Sequence, residues 1–149
     1  MNFKLKKISD EVYYSNIDLC QLDIKDIKKL IFKTKKKGLQ KFRICFHKNI
    51  KDKIHQMLIY HSKNYKCKPH KNNYPETTII LDGKMDLIFY NKAKRIKKIV
   101  KMGNYMSKRK FFCFIKKNEF ASVKIHSKYA IFFEITGGPF IKSKVEVLN

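Results

Sequence analysis

Beyond Gly38 the chain is a succession of short segments rich in β-branched and aromatic residues, and this pattern constrains the fold more than any other feature. Residues that favour turns separate the segments, and Asp82-Gly83 is expected to form a hairpin turn. We predict strands at Phe42–His47, His55–Tyr60, Thr77–Leu81, Lys84–Tyr90, Arg95–Lys101, Lys110–Ile115, Ser122–His126 and Ala130–Thr136. Many short antiparallel strands predict an all-β sandwich or barrel, and closure into a jelly roll would remove exposed sheet edges.

One amphipathic helix is expected before these strands. Its apolar positions fall at helical spacing and are Ile24, Ile27, Leu30, Ile31 and Thr34. Asp23 is the candidate N-cap and Gly38 the stop signal, so we predict a helix over 23–37 that packs on a larger body.

The 149 residues suggest a single domain whose core needs neither disulfide nor metal support. We divide it into an N-terminal extension at 1–41, a barrel at 42–140 and a C-terminal tail at 141–149. The four cysteines form no CxxC pair, which indicates reduced thiols in a cytoplasmic protein. We find no signal peptide, and no apolar run is long enough to span a membrane.

The formal net charge of +23 admits two interpretations. Phosphate neutralisation in nucleic-acid binding is one. We favour the other, compositional bias, because the lysines are scattered and only Arg43, Arg95 and Arg109 are arginines. Aromatic residues alternate with apolar ones in the predicted strands, which indicates core rather than a platform for stacked bases. The expected consequence is a positive field that attracts small anionic molecules, nucleotide diphosphates included.

The segment 68–90 contains the main candidate site. His70 lies six residues before Glu76, which begins the first strand of this segment. A twisted strand can aim both side chains into the mouth of a small barrel, where a divalent ion or a polar ligand would sit. Tyr74 lies between them and could donate a proton in a metal-free site.

Several motifs then recur in a fixed order, and together they resemble the WbuC-type cupin-fold metalloprotein family of bacterial surface-polysaccharide (O-antigen) gene clusters. The motifs are Arg43-x-Cys45-x-His47, Asp52-x-x-His55-Gln56-Met57-Leu58, Tyr65-x-x-x-Pro69-His70, Glu76, Asp82-Gly83 and Phe133-Glu134-Ile135-Thr136-x-Gly138-Pro139-Phe140. The resemblance covers residues 33–140. It implies a cupin-type double-stranded β-helix with an N-terminal α-helix, a ligand such as a sugar nucleotide, and a cytoplasmic role in polysaccharide biosynthesis; it also admits a homodimer.

The resemblance further implies a divalent transition metal, for which only part of the ligand set is present. His70 and Glu76 match the first family motif, but Asn72 stands where that motif has its second histidine. Ala121 stands where a later histidine is expected. Catalytic metal sites use three protein ligands or more, so the predicted site is incomplete unless His47 or His55 supplies another imidazole.

The remaining candidates come from the same resemblance and from strand alternation. Arg43 either clamps a diphosphate or carboxylate or forms a surface ion pair. His47 either contacts ligand at the barrel mouth or is a hydrogen-bonded histidine at a strand end. Gln56 is expected to face the interior, which directs its neighbour His55 to the other side.

Three further residues are expected to be structural or solvent-exposed rather than part of the site. Glu134 is expected to be a structural carboxylate near the terminal turn. His61 and His126, which match no motif, are expected to be exposed.

These residues suggest proton transfer on a keto-sugar, with His70 as the base and Glu76 orienting it or sharing a metal with it. A non-catalytic degenerate barrel, retained for binding or assembly, is the alternative. Nucleic-acid binding through the lysine-rich surface is a second alternative.

Overall fold

The structure of the protein, a computed structural model, describes residues 5–15 and 19–148. Strands dominate it, and the described part contains one α-helix. The elements are β1 Leu5–Lys7, β2 Val12–Ser15, α1 Ile24–Lys36, β3 Lys41–Cys45, β4 Ile54–Ser62, β5 His70–Lys71, β6 Glu76–Tyr90, β7 Ile96–Gly103, β8 Phe112–Ile115, β9 Phe120–Gly137 and β10 Glu146–Val147. Short 3-10 turns lie at Tyr105–Ser107 and Lys142–Lys144. The predicted all-β fold with a single leading helix is confirmed.

Local sequence signals fix both ends of α1, as predicted. The Asp23 carboxylate accepts a hydrogen bond from the Asp26 N–H at 2.9 Å, and the Asp26 carboxylate accepts one from the Asp23 N–H at 3.3 Å. This reciprocal capping box satisfies two backbone donors at the helix start. Gly38 follows the helix with a φ of 71°, a conformation that favours glycine. Within 5–15 and 19–148, no helix has the length and apolar character needed to cross a membrane.

Strands β6 and β9 are long and bent, and the predicted hairpin at Asp82-Gly83 is wrong. These two residues lie inside β6, where the register against β9 shifts twice, between Ile80 and Asp82 and between Gly83 and Met85. Gly83 has a φ of 88°, and its N–H donates to Asp82 Oδ1 at 2.7 Å. A β-bulge uses the same positive φ as a hairpin turn, so one sequence signal serves both structures. The bulge bends β6 at a corner of the barrel.

The predicted strands Ser122–His126 and Ala130–Thr136 are likewise parts of one strand, β9. β9 pairs with β6 on one side and with β4 and β5 on the other. β4 continues the sheet through β3 and β2 to β1, while β6 also pairs with β7 and β8. This arrangement curls the sheet into a cupin β-barrel.

Two apolar cores form on opposite faces of the barrel wall, because successive side chains of a strand point to opposite faces. The barrel interior is filled by a cluster that includes Met57, Met85 and Phe132. On the outer face, Phe42 and Tyr60 pack with Leu30 and its neighbours of α1. The helix therefore covers the outside of β3 and β4, and the interior face is left to line a cavity.

Both ends of the described chain join the sheet. β2 pairs in parallel with β3, so part of the predicted N-terminal extension belongs to the same sheet. β10 pairs with the two-residue strand β5, and Lys71 Nζ lies 2.6 Å from Glu146 Oε2. The Leu148 N–H donates to the Pro69 carbonyl at 2.8 Å. The predicted tail is thus docked beside His70, and the division of the chain at 41 and 140 stays a prediction.

Gly83→Ala should destabilise the fold much more than Gly38→Ala. Both glycines have a positive φ, which costs an L-residue about 1–2 kcal/mol. A Cβ on Gly38 meets nothing within 4 Å, whereas one on Gly83 would overlap the Tyr129 carbonyl oxygen. We expect a loss of about 1 kcal/mol in the free energy of unfolding for Gly38→Ala and about 3 kcal/mol or more for Gly83→Ala, measured by urea titration. Equal losses would contradict this account of the bulge.

Candidate functional site

Two adjoining cavities lie inside the barrel. The larger, of about 270 Å³ and lined in part by Lys144 and Val145 near the C-terminus, is called the outer cavity here, and the smaller, of about 80 Å³, is called the inner cavity. Four polar residues line both cavities: His70, Asn72, Tyr74 and Glu134. A ligand in the outer cavity would therefore contact the same side chains that face the inner one.

Two carboxyl groups point into this interior from neighbouring strands. Glu134 of β9 pairs with Thr78 of β6, which makes Glu76 its diagonal neighbour. The Asn72 Nδ2 donates a hydrogen bond to Glu76 Oε2 at 3.1 Å. Both carboxyl groups lie deep in the barrel yet keep some accessible surface, because they line cavities. Glu134 was expected near the terminal turn in a structural role, but it is part of the cavity wall.

Burial controls the charge of this carboxyl pair. Burial raises the pKa of Glu76, while the His70 charge and the hydrogen bond from Asn72 act in the opposite direction. Burial raises the pKa of Glu134 well above its ordinary value, and the Glu76 charge raises it further. Two carboxylates this close cannot both ionise at low cost. The shift toward the protonated form is therefore larger at Glu134, while the His70 charge and the Asn72 amide favour the ionised form of Glu76.

His70 supplies the positive charge beside these acids. The Cys67 side chain, within hydrogen-bonding reach, contributes most to raising the pKa of His70 to about 9. The Lys68 carbonyl, 3.0 Å from Nδ1, and the Glu76 charge raise this pKa further, while burial opposes them. His70 is therefore an imidazolium at neutral pH. In this form both ring nitrogens donate hydrogen bonds, and a base role for His70 requires a pH above about 9.

The other predicted residues are not all in the site. Arg43 and His47 line the outer cavity, and Tyr74 lies on the wall between the two cavities. Gln56 is exposed and lines neither cavity, so its predicted interior position is wrong. Its neighbour His55 faces the interior instead, because His55 shares the inward face of β4 with Met57 and Ile59.

His47 and His55 form a stacked pair in the outer cavity wall. Their ring centroids are 4.1 Å apart and the planes differ by 5°. The Gln56 N–H donates to His47 Nδ1 at 3.3 Å, and burial followed by the His55 charge lowers the pKa of His47. Among the residues that the structure describes, the buried Nε2 of His55 has no hydrogen-bond partner. Strand alternation counted from Met57 would have placed His55 correctly.

His61 also lies inside the barrel, and its predicted exposure is wrong. It lines the inner cavity, and its ring contacts Tyr65 and Phe132. Burial lowers the pKa of His61 to about 3, so this ring is neutral at physiological pH. His126 is exposed, as predicted.

The residues present do not assemble a metal site. Across residues 5–15 and 19–148, no group of three or more His, Cys, Asp or Glu side chains could hold a metal ion. Asn72 donates to Glu76 where the family motif would have a ligating histidine. Ala121 pairs directly with His70 and offers no ligand atom. His47 and His55 line the outer cavity, whereas Glu76 lines the inner one.

The stability of the protein should fall as pH rises from 7 to 9. His70 has a folded pKa of about 9 against an ordinary 6.5, so its stabilising contribution is complete below 6.5 and is lost as pH rises through 9. We expect a decrease of about 1–3 kcal/mol in the free energy of unfolding, measured by urea titration across this range.

Two histidine variants test this origin of the pH dependence. His70→Gln should flatten the dependence. His61→Gln should lower stability at every pH but leave the slope unchanged, because folded His61 is already neutral above about pH 3. A slope that persists in His70→Gln would contradict the assignment of charge to His70.

Similar folds occur among solved structures of low sequence identity. Oxalate decarboxylase from Bacillus subtilis shares 13% identity over 66% of this chain and 25% of its own, with a TM-score of 0.52. Protein SO0799 from Shewanella oneidensis shares 7% identity over 68% of this chain and 65% of its own, with a TM-score of 0.56. Procruciferin, an 11S globulin from Brassica napus, shares 10% identity over 64% of this chain and 23% of its own, with a TM-score of 0.52.

These likenesses support the cupin β-barrel and nothing finer. The chain spans about a quarter of the length of the oxalate decarboxylase that it matches. No curated protein matches its sequence. The resemblance to WbuC-type proteins and a role in polysaccharide biosynthesis therefore stay predictions.

One family model matches the sequence directly. It is described as "Domain of unknown function (DUF6016)", and it matches residues 22–102, from the residue before the α1 N-cap to the penultimate residue of β7. The match covers more than half of the 149 residues. The chain therefore belongs to the DUF6016 family, and its fold is a cupin β-barrel.

Proposed function

We propose that the barrel binds a small anionic molecule in the outer cavity. The observation that carries the proposal is the set of cationic side chains around this cavity. Arg43, His70 and Lys144 line it, and the pKa of His70 keeps that ring charged at neutral pH. Burial and the Glu76 charge raise the pKa of Glu134, the acid on the same wall, so it opposes an anion less than an ordinary carboxylate would. An anion entering the cavity therefore meets fixed positive charge and hydrogen-bond donors.

The size of the cavity limits what it encloses. Ligand pockets that bury a drug-sized molecule typically have volumes of about 300–1,000 Å³. At about 270 Å³, the outer cavity accommodates a sugar or a phosphate group but not a whole nucleotide sugar. The sequence resemblance suggests a nucleotide sugar, made in the cytoplasm for surface polysaccharide. In that case the sugar would enter the cavity, and the nucleoside would lie outside the mouth near Arg43.

Proton transfer on a keto-sugar fits the charges inside the barrel. Glu76, whose ionised form the His70 charge and the Asn72 amide favour, would accept the proton from a substrate carbon next to the carbonyl group that extends past the shared wall into the inner cavity. His70 or protonated Glu134 would donate a proton to the carbonyl oxygen, which gives an enediol. For an isomerisation, the proton is delivered to the former carbonyl carbon; for an epimerisation, a proton returns to the opposite face of the original carbon. In both cases an enediol hydroxyl gives its proton back to His70 or Glu134, so atoms and charge balance. His70 thus acts as an acid rather than as the predicted base, and Tyr74 is a second donor on the same wall.

A non-catalytic binding barrel is the second candidate function. The hydrogen bond from Asn72 to Glu76 favours it, because this bond satisfies the carboxylate that a cupin metal would otherwise ligate. Ala121 leaves the place opposite His70 without a functional group. The protein would then bind the same anionic ligand without transforming it. Because the residues present do not fit a metal, neither candidate includes a metal-dependent step.

Arg43→Ala should weaken binding of UDP-glucose by about 10- to 100-fold in isothermal titration calorimetry, because it removes a charge-assisted contact at the mouth. Arg95→Ala, which changes an exposed arginine in the turn between β6 and β7, should leave the affinity unchanged. Titrations with UDP and with glucose alone distinguish recognition of phosphate from recognition of sugar. No binding of any of the three, or equal losses in the two variants, would contradict an anion site at the barrel mouth.

A catalytic barrel should exchange a carbon-bound proton of a nucleotide keto-sugar with solvent. We expect proton NMR in D₂O to show loss of the signal next to the carbonyl group, and Glu76→Gln to slow this loss by about 100-fold or more. Glu11→Gln, on the loop before β2, is the matched control and should exchange at the wild-type rate. Binding without any exchange in the wild-type protein would favour the non-catalytic barrel.

A further inference from the structure

Strand β8 presents aromatic rings to solvent, on a surface separate from the barrel cavities. Phe112 is 50% exposed and Phe114 is 56% exposed. Both rings are on one face of the strand, because Cys113 and Ile115 between and after them pack toward the barrel core. The prediction that aromatic residues of the strands are core residues is therefore wrong for this pair.

No other element of the described chain covers this face. Within that part β8 pairs only with β6, where Ile79 lies opposite Phe112 and Thr77 lies opposite Phe114. Helix α1 packs on a different part of the barrel, over β3 and β4. Aromatic residues usually bury their large apolar area, so a neighbouring pair left in solvent marks a binding surface.

Lysine side chains surround the two rings. A groove of about 310 Å³ between β7 and β8 is lined by Phe114 together with Lys98 and Lys116. Lys110 is exposed two residues before Phe112. In the described residues, none of these three lysines forms an ion pair, whereas Lys97 in the same groove lies 3.2 Å from Glu119. The rings are therefore flanked by positive charge that an intramolecular carboxylate does not neutralise.

This combination selects the kind of partner. A second copy of the chain would bring a formal charge of +23 against the same lysines, which opposes self-association. A polyanion has complementary charge. Phe112 and Phe114 are two residues apart on a strand, a spacing of about 7 Å along its axis. A membrane-inserting group would instead project from a loop tip. RNA-recognition sheets bind two or three bases on aromatic side chains placed in this way.

We propose that the β8 surface, formed by Phe112, Phe114, Lys98, Lys110 and Lys116, binds single-stranded nucleic acid. Successive bases stack on the two phenylalanine rings, and phosphates contact the lysines. Lysine is a point charge without the planar fork that reads base edges, so binding is insensitive to sequence. The proposal does not depend on the ligand of the barrel, because both phenylalanines, Lys98 and Lys110 line neither barrel cavity and only Lys116 also borders the inner one.

Leucine variants separate stacking from simple apolar contact. A labelled oligo-uridine or oligo-thymidine of about 12 nucleotides would be titrated with protein and followed by fluorescence anisotropy. We expect the double variant Phe112→Leu/Phe114→Leu to lose affinity by about 10-fold or more, because leucine keeps the apolar area but has no aromatic face. Phe32→Leu, which changes a 70% exposed ring on the lysine-rich helix, should bind as the wild-type protein does.

The lysines are tested through the salt dependence of binding. For single strands, each phosphate contact contributes about 0.7 to the slope of log affinity against log salt concentration. Lys98→Gln/Lys116→Gln should therefore lower the slope by about 1.4. Lys33→Gln/Lys36→Gln on α1 removes the same charge from another surface and should leave the slope near the wild-type value.

The absence of tryptophan from the chain provides a direct readout of stacking. Phe114→Trp introduces a single indole fluorophore, and we expect its emission to be quenched when the oligonucleotide binds. Full affinity in the leucine double variant would overturn the proposal, as would a loss of equal size in Phe32→Leu. Binding to vesicles of phosphatidylglycerol but not to oligonucleotides would identify a membrane surface instead. Loss of a dimer in the leucine variant, seen by sedimentation, would identify a self-association surface.

Discussion

The pairing of β6 with β9 is the constraint on which the rest of the barrel depends. These strands bring Glu76 and Glu134 to diagonal positions on one interior face, although the two residues lie far apart in the chain. The same pairing closes the barrel, since β9 links β6 to β4 and β5. The bulge at Asp82-Gly83 bends β6, so that this one strand continues around a corner of the barrel. The site and the closure of the fold thus have a common origin in backbone hydrogen bonds.

Placing two acids inside a barrel has an electrostatic cost, and the neighbouring residues show how it is limited. Burial favours the protonated form of Glu134, while Glu76 faces a charged imidazole and accepts a hydrogen bond from the Asn72 amide. His70 and Asn72 limit this cost with side chains alone, because an amide donor and an imidazolium both stabilise a buried carboxylate. Asn72 and Ala121, which stand where the resemblance to WbuC-type proteins predicts histidines, are therefore compatible with an intact, polar interior.

Sequence reasoning succeeded where local signals decide the outcome. The capping residues and Gly38 fixed α1 to within one residue, and the spacing of His70 and Glu76 brought both to one cavity. It failed where tertiary context decides. A bulge and a hairpin share the Asp-Gly signal, and the inward face of β4 follows from burial against the core rather than from motif resemblance. His61 was expected to be exposed and lies inside the barrel, whereas Phe112 was expected in the core and is exposed. Residue type alone does not determine which face of a strand is buried.

The docking of β10 on β5 connects the end of the described chain with the cavity. Lys144 and Val145, just before β10, line the outer cavity, while β10 itself pairs with the strand that contains His70. If a ligand contacts this segment, ligand binding and the pairing of β10 with β5 stabilise each other by the same free energy, because coupling between two binding events is reciprocal. Occupancy of the barrel would thus slow the hydrogen exchange of the Leu148 amide, whose N–H donates to the Pro69 carbonyl. The C-terminal segment is therefore a natural position from which to detect, by isotope labelling, whether the cavity is filled.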